Sequence, residues 1–201
     1  MLAPVIPHLR QTLLLVGGCL VLGLGVAMLL AADLGSDGFS TLVNGISIAT
    51  ATDFWIINLV VGVTFVAMAA LRHVRPGPGT VVQVVLVGIV VSVGLDRIAT
   101  PESPTGRGLL LAAAFPVLAI GISGYLGSHS GAGPAEAAAL AWDPPFTFKW
   151  TYSAVQAGGA LVGWLLGATV GVGTLAVIFL LGPGVDLVSR LLRLDVHQAR
   201  D

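Results

Sequence analysis

Two acids, Asp37 and Glu136, stand where a charge in this 201-residue chain could do chemistry. Each lies at or just inside the start of a short uncharged stretch that follows a glycine-rich break, Leu34-Gly35-Ser36-Asp37-Gly38 in one case and Ser130-Gly131-Ala132-Gly133-Pro134 in the other. A long uncharged run precedes each break, Gln11 to Ala32 and Gly108 to Gly127. At membrane depth such a break exposes backbone N–H and C=O groups that lipid cannot satisfy, so it persists only inside packed protein or beside a wet cavity. At the bilayer surface it is an ordinary loop. A carboxylate in the first helical turn is stabilised by ~0.3–1 kcal/mol through the helix dipole, so capping is the bland role for both acids. If both face one cavity, they favour a cation, an amine or a coupling proton. If capping consumes them, free half-helix N-termini favour an anionic group.

An ionisable side chain at a helix centre costs about 2.5–3.5 kcal/mol to insert and marks a substrate or ion path. On that reasoning the pathway comprises Asp37, Glu136, Gly35, Gly38, Gly131 and Gly133, with His129 as a proton carrier near the second break and Asp186 in the last span. Asp186 has a competing role in an i, i+4 pair with Arg190. Asp33 and Asp53 bracket the first short stretch as interfacial anchors, and Asn44 and Gln83 read as helix-to-helix hydrogen bonders. Cys19, alone, is a small apolar filler that can form neither an internal disulfide nor a zinc cluster. Gly-x-Ser-x-Gly, His-Glu-x-x-His and Cys-x-x-Cys are missing, and Gly-x-Gly-Thr lacks the lysine of a phosphate loop. No enzyme activity, metal or cofactor is expected.

The elements that must position these groups are membrane spans. Hydrophobic residues make up 56% of the chain and charged ones 9%, against roughly 25% charged in a soluble domain. A net charge of −1 excludes a nucleic-acid partner. Uncharged runs of 22, 18, 20, 28 and 36 residues separate the charges, and about 20 apolar residues suffice to span. Spans are expected at 11–32, 54–71, 79–97, 108–127, 149–167 and 173–192. The first is too long for a signal core and reads as an uncleaved span. Gly38 to Thr52 and Pro134 to Trp142 are too short to cross and read as re-entrant or interfacial half-helices. Ser36 or Asp37 would cap the first, Pro134 would open the second, and Asp143-Pro144-Pro145 would stop it.

With six spans and a cytoplasmic N-terminus, Arg10, Arg72, Arg75, Lys149, Arg190, Arg193 and Arg200 fall inside, and Arg97 and Arg107 outside, as the positive-inside rule prefers. Letting both short stretches span gives the same balance, so charge fixes the termini and segment length favours six.

The halves repeat. Gly77-x-Gly79-Thr80 with Gly88 recurs as Gly171-x-Gly173-Thr174 with Gly182, displaced by 94 residues, as are Phe54 and Phe148. Gly25, Leu30 and Gly35 recur as Gly121, Leu126 and Gly131, displaced by 96. The fold expected is all-α: a single integral membrane domain of about six transmembrane helices in two repeats, about 11–100 and 108–195, with two broken or re-entrant segments. Three spans per unit is odd, so the second copy enters from the opposite side, as in transporters that hold substrate at interrupted segments near the midplane; four spans per unit would make the repeats parallel instead. Gly159, Gly163, Gly167 and Gly171 recur every four residues. That face serves packing within the monomer or, through Gly159, Gly163 and Gly167, a homodimer.

The stretch Ala32 to Asp37, Gly-Ala-Gly-Pro at 131–134, Gly163-Trp164-Leu165-Leu166-Gly167 and the Gly-x-Gly-Thr pair resemble the YczE/YyaS/YitT-like bacterial multi-pass membrane proteins, over roughly residues 11–195. The resemblance implies a bacterial inner-membrane location, and transport or export for some relatives. Where relatives carry an acid between Tyr152 and Trp164 this chain has Gln156, so no charged site carries over to that helix. The expected function is a small-solute transporter or exporter rocking one repeat against the other, its partners the lipid bilayer and an unidentified small solute. The rival is a membrane scaffold or accessory subunit with its breaks packed dry.

Overall fold

The computed structural model describes residues 9–74, 77–142, 145–146 and 148–194. Arg75, Asp143, Pro144, Arg200 and the side chain of Lys149 lie outside the described residues. The helices are α1 (Leu9–Ala31), α2 (Gly38–Thr50), α3 (Phe54–Leu71), α4 (Pro78–Arg97), α5 (Pro104–Leu126), α6 (Pro134–Leu140), α7 (Phe148–Leu165) and α8 (Val172–Leu192), the last with a π-helical turn at Val177–Leu181. Pro183 follows that turn and has no N–H to continue an α-helical ladder. α1, α3, α4, α5 and α8 are long and apolar enough to cross a membrane. Five of the six expected spans are met by these helices; α7, 18 residues long and expected as the sixth, is not among them. The chain is an all-α polytopic membrane protein.

Helix directions follow from the glycine contacts. Gly18 on α1 abuts Tyr125 on α5, Gly25 abuts Leu118, and Gly121 on α5 abuts Leu22. Numbers rise on one helix as they fall on the other, so α1 and α5 are antiparallel. The last two contacts are one contact seen twice, because Leu22 and Gly25 recur 96 residues later as Leu118 and Gly121. Counterpart helices that cross antiparallel are related by a two-fold axis perpendicular to them, which is the geometry of an inverted repeat. Gly23 against Val90 and Gly94 against Ala27 make α1 and α4 parallel; Gly184 against Ala119, with Leu194 just beyond α8 against Gly127, does the same for α5 and α8.

These relations sort the helix ends onto two faces. The C-termini of α1 and α4 and the N-termini of α5 and α8 share the face that carries Asp33. The opposite ends share the face that carries His129. Arg10, Arg72, Arg190 and Arg193 lie toward the His129 face, and Arg97 and Arg107 toward the other. The four tryptophans divide two and two, Trp55 and Trp164 near the Asp33 face and Trp142 and Trp150 near the His129 face, all exposed. Amphipathic rings at both ends of an apolar belt suit the two membrane interfaces. The belt between them shows Leu20, Val60, Val63, Leu161 and Phe179 outward.

The helices form two bundles that cut across the repeats: α1, α4, α5 and α8 in one, α2, α3, α6 and α7 in the other. Each bundle thus takes helices from both repeats. Within the second bundle, Gly38 and Gly45 on α2 abut Gln156 and Gly163 on α7, and Gly159 and Gly163 abut the backbone of Gly38 and Thr41. The glycine stripe of α7 is therefore filled by α2, and a dimer through Gly159 and Gly163 would have to displace that helix.

Candidate functional site

The two breaks share one backbone trace. Asp33 and His129 are left-handed (φ 52° and 50°) and each donates its N–H to the carbonyl three residues earlier at 3.0 Å. Two residues on, Gly35 and Gly131 have φ of 98° and 130°, which a side chain would oppose. Each break is clasped by the Gly-x-Gly-Thr turn of the other repeat. Gly173 N–H donates to Leu34 O at 2.7 Å, and Gly79 N–H donates to Ser130 O at 2.8 Å. The Thr80 hydroxyl donates to Ala132 O at 2.6 Å and Tyr125 OH to Gly131 O at 2.9 Å. Backbone groups that lipid would strand are thus bonded within the protein.

From each clasp the chain runs inward and returns as a helix. α2 starts against Gln156, halfway along α7, and runs parallel to α7 back to the Asp33 face, where Ile48 meets Gly167. α6 starts with Pro134 near Gly62, halfway along α3, and ends where Arg72 Nε donates to Ala141 O at 3.1 Å. The Arg72 guanidinium also stacks on Trp142, 4.4 Å from the ring centre. Each half-helix leaves by the face at which its break entered, so both are re-entrant and both begin at mid-depth. α6 ends at Leu140, before the proline pair expected to stop it.

At those starts the acids gather. Asp37 Oδ1 accepts the Ser40 N–H at 2.9 Å and caps α2, while the Ser36 hydroxyl turns to Thr41 at 2.8 Å. Glu136 lies in the first turn of α6, with Oε2 and the Gln83 amide converging on Gly133. Gly38, next to Asp37, abuts Gln156 on α7, and α6 packs on the same helix, so the two acids belong to one neighbourhood. The Tyr152 hydroxyl accepts from Gln156 Nε2 at 2.8 Å, and Gln156 Oε1 accepts from Phe39 N–H at 3.2 Å. Gln83 Oε1 is buried without a partner, contrary to the expected helix-to-helix bond. Asp37, Glu136, Tyr152 and Gln156 all remain part-exposed.

Other expected positions fall elsewhere. His129 is exposed at its face, and Asp186 is exposed toward the same face with no ion pair to Arg190. Gly35, Gly38 and Gly131 are packed against opposing backbone rather than lining a space; Gly133 alone of the four faces the acids. Cys19 is buried beside Leu15 and Tyr125, as a filler should be. An open groove of about 610 Å³ lies at the Asp33 face, lined by Asp53, Asp96, Trp55 and Ser92 and apart from the acids. Sequence reasoning passed over Tyr125 and Tyr152; the available signal was a phenol placed within an otherwise apolar run.

The model of a family of unknown function, DUF6198, matches residues 9–190. The chain belongs to that family. An uncharacterized protein from Haemophilus influenzae is 24% identical over 177 residues, covering 85% of this chain and 81% of the relative. No solved structure matches. In this member of the family, the matched region includes both breaks, both turns that clasp them and both acids.

Proposed function

We propose that the protein is a small-solute transporter or exporter of the bacterial inner membrane, and that Asp37 and Glu136 carry a cation or proton through its middle. One observation carries this reading: two half-helices from opposite faces begin at mid-depth, each with a carboxylate at its cap or in its first turn. Holding two acids there is expensive unless a positive partner repays the cost, and the one ion pair among the described residues, Arg107 with Asp33, involves neither of them. Because Asp37 already caps α2, that helix start is less suited to an anionic cargo. The excess of arginine at the His129 face supports a cytoplasmic orientation of that face and of the N-terminus. The resemblance to the YczE/YyaS/YitT-like proteins points the same way.

The test is flux in proteoliposomes against a panel of cations and amines, with and without a pH gradient. Saturable flux should fall at least tenfold in Glu136→Gln and persist in Asp186→Asn. In parallel, Asp37→Cys and Glu136→Cys should react with a small thiol reagent from at least one side. Protection of both from both sides, with no flux, would overturn transport. A second reading, a membrane scaffold, is favoured by the clasps, which leave the break backbones satisfied within the protein. It expects Glu136→Gln to be silent.

A further inference from the structure

We infer that the structure is one of two conformations, parted between α7 and α8, and that the other is reached when α7 closes on α8 as α3 is already closed on α4. The inference takes from the proposed function only that the two bundles move; it does not need flux.

Inverted repeats make the argument possible, because every inter-bundle contact has a counterpart 94 or 96 residues away. Between the bundles, α3 packs along α4. Asn58 Nδ2 donates to Val84 O at 2.7 Å, Trp55 N–H donates to Ser92 Oγ at 2.9 Å, and Gly88 receives the Asn58 side chain. The counterpart pair, α7 and α8, has no comparable interface among the described residues. Val84 is 6% exposed and its counterpart Ile178 is 60% exposed. Gly88 is filled, whereas Gly182 has nothing near the position of a Cβ. The repeat has kept a glycine on α8 that nothing in this conformation requires. Close approach of α7 would require it, with Tyr152 at the Asn58 position.

At the Asp33 face the connection between α7 and α8 is held in place. Asp33 accepts from the Thr169 hydroxyl and from Arg107 Nη1 at 2.9 Å, and Arg107 Nε donates to Pro101 O at 3.0 Å. Because α7 and α8 are joined at that face through residues 166–171, the gap between them opens toward the His129 face.

Spin labels at symmetry-related positions test this in nanodiscs, with Cys19 replaced by alanine. One pair is Ser153→Cys with Leu187→Cys across α7 and α8; the other is Leu59→Cys with Val93→Cys across α3 and α4. The α7/α8 distance should be the longer in the resting protein. A minor population in which the two distances exchange should accompany it. Equal distances, or single distances with no exchanged population, would overturn the inference. Exchange without flux would leave it standing and sink the transport reading; flux with fixed distances would do the reverse.

Discussion

Asp37 does two things that one substitution can separate. Its side chain caps α2, and on the proposed reading its charge serves the pathway. Asparagine caps a helix about as well as aspartate, so Asp37→Asn should leave thermal stability in detergent within about 0.5 kcal/mol, while Asp37→Ala should cost about 1 kcal/mol. Both should lose flux if the charge is what counts. Equal stability loss in the two variants would mean that the carboxylate is structural. The cap was legible in the chain because an aspartate preceding a helix has a local signature. The company of Glu136, Gln83, Tyr152 and Gln156 was not, since it depends on which spans cross. Glu136 and Asp37 are 99 residues apart, 136 less 37, and no local rule joins them.

Glycines govern the elements. A Cβ on Gly163 would collide with the Thr41 carbonyl, while Gly158 on the same helix has nothing near. Gly163→Ala should therefore destabilise by about 1–3 kcal/mol, the range for overpacking. Gly158→Ala should be neutral or stabilise by about 0.5–1 kcal/mol through helix propensity. Thermal unfolding of the two variants in detergent checks the contrast, and equal effects would mean that α2 does not lie on α7. Segment lengths had already marked α2 and α6 as too short to span, and the four-residue glycine spacing marked one face of α7. What occupied that face was left between a monomer contact and a dimer, because spacing shows that a backbone approaches but not whose.

For the whole molecule, order along the chain gave the duplication and the odd number of spans per unit gave its inversion. Crossing contacts such as Gly25 with Leu118 and Gly121 with Leu22 bear this out. The division into bundles could not be read from repeat boundaries, because it mixes helices of both copies. Nor could the depth of the breaks, which rests on α2 and α6 starting halfway along spans of the other repeat. Everything about the acids follows from that placement: half-helices that enter from opposite faces can meet only in the middle. Cysteine substitution with a membrane-impermeant maleimide, in a Cys19→Ala background, reads it directly. Thr50→Cys at the end of α2 and Glu102→Cys in the loop before α5 should label from the same side, and Trp142→Cys beyond α6 from the other. Labelling of Thr50→Cys from the side opposite Glu102→Cys, or of Trp142→Cys from the same side as Glu102→Cys, would mean that a short helix crosses the bilayer, and the meeting of Asp37 with Glu136 at mid-depth would be contradicted.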